Sequence, residues 1–89
     1  MAGPYSIRIS VKEITKNECP YKFKPGDSWL IEDGKTPGGM CSSAYEACLP
    51  WVRILRYGGE FPPAEDKDVM LVSCPDHNVQ TIYEVRRLR

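Results

Sequence analysis

The 89-residue sequence has no long apolar run, no excess of charge of either sign and only one histidine. No segment approaches ~18 consecutive apolar residues, so we expect no membrane-spanning helix. Twelve basic residues balance twelve acidic ones, and the aromatic residues are scattered without basic residues between them. We therefore expect neither a nucleic-acid surface nor attachment to an acidic membrane.

The N-terminal residues lack a signal-peptide pattern. The opening MAGPYSIRIS has no basic stretch followed by an apolar one, so we expect a cytoplasmic protein. In a reducing cytoplasm, four cysteines are more often free thiols or metal ligands than disulfides. The one dense basic patch is RRLR at 86–89, which we interpret as a solvated strand end.

The remaining sequence is typical of a single globular domain spanning residues 1–89. With 42% hydrophobic and 27% charged residues, a chain of this length buries roughly 60–65% of its unfolded surface. Residues 5–11 alternate between apolar and polar, which predicts a strand with one face on the core. Further strands are predicted at 28–32, 69–72 and 79–88, and the apolar run at 69–72 indicates a strand covered on both faces.

A helix is predicted to begin near Cys41. Ser43 and Glu46 have the spacing of a capping box, and Pro50 is expected to kink the helix or to start a second one. A left-handed cap at Gly58 ends it. The order is therefore β-β-α-β-β, an α+β fold in which one kinked helix packs on a face of a small antiparallel or mixed sheet.

This helix has more apolar surface than one face needs. Its predicted core stripe is Ala44, Ala47, Cys48, Trp51 and Leu55, and the apolar residues off the stripe are Tyr45, Leu49, Val52 and Ile54. Loops or another subunit must cover the second set. We therefore expect a homo-oligomer or a complex with a protein partner.

Several motifs resemble those of a known family. They are Cys19 followed by GD at 26–27, GKTPGGMC at 34–41, AYEACLP at 44–50, LRYGGEFP at 55–62, DKDVMLVSCPD at 66–76 and YEVRR at 83–87. Over almost its whole length the chain resembles a family of small uncharacterised proteins from anaerobic bacteria and archaea. The resemblance implies no activity. It implies that Cys19, Cys41 and Cys74 are family positions and that Cys48 is not.

The four cysteines give the one lead to function. Zinc and iron–sulfur clusters are bound by thiolates, and a closed site usually has four ligands. The intervening segments of 21, 6 and 25 residues leave no C-x2-C pair. Cys48 follows Cys41 by about two helical turns, or ~10 Å along the axis. We therefore expect those two not to share a zinc ion and Cys48 to pack in the core.

The direction in which each strand and the helix run limits which of the cysteines can lie close together. If successive elements run up and down, the start of the helix meets the end of the third strand, which brings Cys41 close to Cys74. His77 follows in the adjoining turn, and Cys19 begins at the opposite end on a loop long enough to reach across. The predicted site is Cys19, Cys41 and Cys74 with His77 as a fourth ligand. Such a Cys3His set binds zinc, and an iron–sulfur cluster is the other candidate cofactor.

Two other functions stay open. Cys41 at a helix N-terminus faces the positive end of the helix dipole, which favours its thiolate, and His77 would be its base if it lay within hydrogen-bond reach. This combination predicts a small thiol enzyme or redox carrier. Alternatively, the cysteines only pack and the chain is a structural subunit for a partner. No orienting third residue can be identified, so we favour a non-enzymatic metal-binding or accessory module.

Overall fold

The computed structural model describes residues 4–16, 23–32, 34–59, 66–75 and 80–89. Its elements are β1 (Ser6–Lys16), β2 (Ser28–Ile31), α1 (Ser42–Arg56), β3 (Val69–Ser73) and β4 (Gln80–Leu88). The strands form one antiparallel sheet in the order β2-β1-β4-β3. The predicted α+β class and the β-β-α-β-β order are confirmed.

The two longest strands, β1 and β4, form the centre of the sheet, where Ile9 pairs with Val85. The alternation predicted for 5–11 is confirmed, because Ile7, Ile9 and Val11 are buried while Arg8 and Lys12 are exposed. The buried apolar core consists of Ile7, Ile9, Val11, Ile31, Ala44, Cys48, Val52, Leu55, Val72, Tyr83 and Val85. These residues join one face of the sheet to α1.

The N-terminus of α1 differs from the prediction. The helix begins at Ser42, and its N-cap residue is Cys41, whose side chain makes no capping hydrogen bond. The predicted capping box of Ser43 and Glu46 is therefore wrong, because Ser43 already lies inside the first turn. The helix also continues through Pro50, so the chain has one helix here rather than two.

The C-terminus of α1 ends as predicted. Gly58 has a φ of 86°, a left-handed conformation that glycine adopts without steric cost. The Gly58 N–H donates to the Leu55 carbonyl at 3.1 Å, and the Gly59 N–H donates to the Ile54 carbonyl at 2.9 Å. These two bonds form a Schellman motif, which satisfies carbonyls at the end of the helix.

The buried stripe of α1 contains Val52, which the sequence placed outside it. The buried residues are Ala44, Cys48, Val52 and Leu55, while Ala47 and Trp51 pack against the core from partly buried positions. Leu49 and Ile54 are 40% and 39% exposed. The described residues thus leave part of the apolar surface of α1 uncovered.

The prediction that the third strand is covered on both faces is wrong. β3 is an edge strand that pairs only with β4, and Leu71 is 45% exposed while Val72 is buried. Because α1 packs on one face of the sheet, every second residue of the apolar run points away from it.

Arg87 is buried, which contradicts the interpretation of RRLR as a solvated strand end. Its guanidinium donates to Asp68 Oδ1 at 2.9 Å. It also donates to the carbonyls of Leu55, Gly59 and Lys67, at 3.0, 3.0 and 2.9 Å. One cation thereby connects β4 to the end of α1 and to the turn before β3. These segments are distant in the sequence, so local charge density did not indicate the burial.

Candidate functional site

Cys41 lies at the junction between the loop after β2 and α1. Its backbone is extended, with φ −61° and ψ 130°, and its carbonyl accepts a hydrogen bond from the Tyr45 N–H at 2.9 Å. The side chain is half-buried and packs against the edge of the core. Cys41 is thus a free thiol at the N-terminal end of α1, as predicted.

Cys74 directly follows β3 and continues its pairing with β4. Its N–H donates to the Thr81 carbonyl at 2.9 Å, and its free thiol packs against the core from a half-buried position. Because strand residues alternate, Cys74 shares the core-facing side of β3 with Val72. Both Cys41 and Cys74 are therefore more accessible than a residue of the core interior.

Cys48 is fully buried in the core. Burial raises the pKa of its thiol to about 12, and the charge of the nearby Cys74 thiolate adds to this shift. The prediction that Cys48 packs as a core residue is confirmed. The electrostatic influence of Cys74 further indicates that the middle of α1 lies close to the end of β3.

We define the thiol end of the domain as the end of the sheet that contains Cys74 and the first residues of β4. At the opposite end, the Arg56 carbonyl accepts from the Tyr5 N–H at 2.8 Å. This contact fixes the C-terminus of α1 beside the start of β1, so the N-terminus points towards the thiol end. The interaction of Cys74 with Cys48 places the end of β3 beside the middle of α1, and the closer meeting of Cys41 with Cys74 stays a prediction.

The expectation that the segment of Cys19 begins at the opposite end is wrong. Lys16, the last described residue before that segment, pairs with Gln80 at the thiol end. The up-and-down assumption failed because residues 34–40 lead the chain back along the sheet before α1 begins. Gly39 in this connection lies beside Trp29, with the indole nitrogen 4.0 Å from the position of a Cβ.

Thr81 contributes a buried polar atom at the thiol end. The residue is 1% exposed, and its Oγ1 has no hydrogen-bond partner within the described part of the chain. Its own carbonyl accepts the bond from Cys74. A buried hydroxyl without a partner is unusual and destabilising.

Two of the four predicted ligands, Cys19 and His77, lie outside the described residues. Among residues 4–16, 23–32, 34–59, 66–75 and 80–89, no group of three or more histidine, cysteine, aspartate or glutamate side chains could hold a metal ion. The ligand set of Cys19, Cys41, Cys74 and His77 stays a prediction.

A groove on the outer face of α1 is a site that the sequence did not predict. Its volume is about 490 Å³, and its lining includes Ile31, Gly34, Tyr45, Leu49, Val52 and Arg56. The only feature of the sequence that pointed to this groove was the surplus of apolar residues on the helix. It indicated an uncovered surface, but it did not show that the loop after β2 forms the second wall.

Comparison of the chain with protein-family models, curated proteins and solved structures finds no match. The resemblance to a family from anaerobic bacteria and archaea therefore stays a prediction. None of the helices among the described residues is long and apolar enough to cross a membrane.

Proposed function

We propose that this chain is a non-enzymatic metal-binding or accessory module that binds zinc or an iron–sulfur cluster through Cys19, Cys41 and Cys74, with His77 as a fourth ligand. The observation that supports the proposal is the arrangement of the thiol end. The free, half-buried thiol of Cys74 lies there, and the N-terminus of α1, with the free thiol of Cys41, points towards it. The described residues that flank the other two ligands, Lys16 and Gln80, pair there as well.

The cysteines differ in burial, and the difference agrees with the proposal that Cys41 and Cys74 are metal ligands whereas Cys48 is a core residue. A metal ligand must lose its proton and reach a site that can be closed around the ion. Cys48 is unsuited to this, because burial holds its pKa near 12. Cys41 and Cys74 lie at the edge of the core, where they are half-buried rather than enclosed. Free thiols also fit the proposed location in a reducing cytoplasm.

Metal analysis of protein purified without oxygen tests the proposal. We expect about one zinc ion or one cluster per chain in the wild type, and less than about 0.1 in Cys41→Ser and Cys74→Ser. Cys48→Ala is the matched control and should keep the metal. An absorption band near ~400 nm would identify an iron–sulfur cluster. A wild-type content below about 0.1 that Cys74→Ser leaves unchanged would refute the proposal.

The thiol alternative is supported by one feature, the position of Cys41 at the N-cap of α1. The N-terminus of a helix is a position at which reactive cysteines occur in proteins. The rate of alkylation of Cys41 as a function of pH separates this function from metal binding. A Cys41 that reacts no faster than a model thiol at neutral pH excludes a reactive role.

The homo-oligomer or partner complex also stays a prediction. Its support is the set of exposed large apolar side chains, which are Leu30, Leu49, Ile54, Tyr57 and Leu71. Leu30 and Leu71 lie on the two edge strands of the sheet, whereas the other three lie on or beside α1. A strictly monomeric mass at high micromolar concentration would contradict the homo-oligomer, and a pull-down without a partner would contradict the complex.

A further inference from the structure

The α1 groove combines an apolar wall with a cationic end. Leu49 is 40% exposed beside it, and Tyr45 and Val52 line it from the helix. Arg53 and Arg56 lie one to two turns further along, at the C-terminal end of α1. A volume of about 490 Å³ lies in the range of sites that bind small organic molecules.

Among the described residues, neither arginine of the groove forms an ion pair with a carboxylate. The ion pairs in this part of the chain involve Arg86, Arg87 and Arg89. Arg56 instead donates to the Tyr57 hydroxyl at 3.2 Å. Its guanidinium carbon lies 5.1 Å from the centre of the Tyr57 ring, and that of Arg53 lies 6.0 Å from the same centre. Both guanidinium groups therefore lie near one aromatic ring.

The loop after β2 passes close to Arg56. A Cβ on Gly34 would lie 2.7 and 2.8 Å from the two terminal nitrogens of the Arg56 guanidinium. The arginine side chain would therefore have to move if residue 34 carried a Cβ. Because Gly34 has a φ of 72°, the loop conformation also favours glycine. Gly34 and Arg56 both line the groove, so the guanidinium lies where the loop and the helix meet.

The charge of the residues that line the groove indicates the charge of the ligand. The described lining residues include two arginines and one glutamate, Glu46, and these three residues have a net charge of +1. We propose that the groove binds a small organic monocarboxylate with an apolar body. The carboxylate is bound by Arg53 and Arg56, and the apolar body packs along Leu49 and Tyr45. A guanidinium fork matches the geometry of a carboxylate. This site is independent of the thiol end.

Titration of 15N-labelled protein with 4-phenylbutyrate, followed by amide chemical shifts, tests the proposal. We expect a Kd of about 1 mM or tighter, with the largest shifts at residues 31–35 and 45–57. The neutral analogue 4-phenylbutanamide should bind about tenfold more weakly, because it lacks the charge that the arginines recognise. This comparison uses the wild-type protein and does not depend on whether a variant folds.

The double variant Arg53→Gln and Arg56→Gln should lose about tenfold in affinity for 4-phenylbutyrate. The matched control is Arg8→Gln with Lys12→Gln, which removes the same charge from two exposed residues of β1 and should leave the Kd unchanged. Equal binding of the amide and the acid, equal losses in the two double variants, or a dimer that covers the groove would each overturn the proposal.

Discussion

Replacing Arg87 with methionine should destabilise the domain far more than the same change at Arg89. Both arginines contact Asp68 and lie over the ring of Tyr5, at 5.2 and 5.5 Å from its centre. They differ in burial, since Arg87 is 3% exposed and Arg89 is exposed. Arg87→Met removes the donors of three carbonyls, and the apolar stem of methionine can still fill the space.

The loss in the free energy of unfolding caused by Arg87→Met can be estimated from the hydrogen bonds to those three carbonyls. Each lost hydrogen bond contributes about 1 kcal/mol, so the loss of three costs about 3 kcal/mol. A domain of 89 residues has a total stability of about 4–13 kcal/mol. The melting temperature should therefore fall by about 12–24 °C. Asp68 keeps its contact with Arg89, so no isolated buried charge adds to this cost.

Thermal and urea unfolding, followed by the fluorescence of Trp29 and Trp51, measures the effect. Arg89→Met should change the melting temperature by no more than about 3 °C. Arg87→Lys keeps the charge but lacks the planar fork, and it should lose at least about half as much stability as Arg87→Met. Equal effects of the methionine substitutions at the two positions would refute the argument from burial.

Four further predictions concern the single groups Asp68, Cys48 and Thr81. The hydrogen bond from Arg87 holds the pKa of Asp68 below its ordinary value of 3.8, so stability should fall as pH decreases below about 4, and Asp68→Asn should flatten that dependence in urea unfolding. Cys48, with its pKa raised to about 12, should react with iodoacetamide at pH 8 at least about tenfold more slowly than Cys41 in mass spectrometry. The same shift should cost stability as pH rises from about 9 to 12. Thr81→Val should raise the free energy of unfolding by about 1 kcal/mol, because it removes a buried hydroxyl without a partner among the described residues; a decrease would show that the hydroxyl is bonded.

Local patterns predicted most of the fold. The alternation in residues 5–11 placed β1, and Gly58 marked the end of α1, because both signals depend on the conformation of neighbouring residues only. The prediction that β3 is covered on both faces failed because it depends on distant parts of the chain. An apolar run shows which residues avoid water, but the number of layers above the sheet depends on the rest of the chain.

The candidate sites were harder to predict because they depend on contacts between distant segments. Cys48 could be assigned to the core from helical periodicity. The up-and-down assumption placed the end of β1, which precedes Cys19, at the opposite end of the domain from the start of α1. The two lie towards the same end because the connection after β2 leads the chain back before α1 begins. The burial of Arg87 depends on carbonyls from three other parts of the chain. The α1 groove exists because Gly34 lets a loop approach Arg56.

The pairing of β1 with β4 has a consequence for biosynthesis. Ser6 lies opposite Leu88, so the central ladder joins the first and the last of the described strands. During translation β1 can form a hairpin with β2, but its other edge has no neighbour until β4 leaves the ribosome. We therefore expect the nascent chain to stay protease-sensitive until β4 has emerged from the ribosome and then to fold slowly for its size, since contacts of such large sequence separation slow folding.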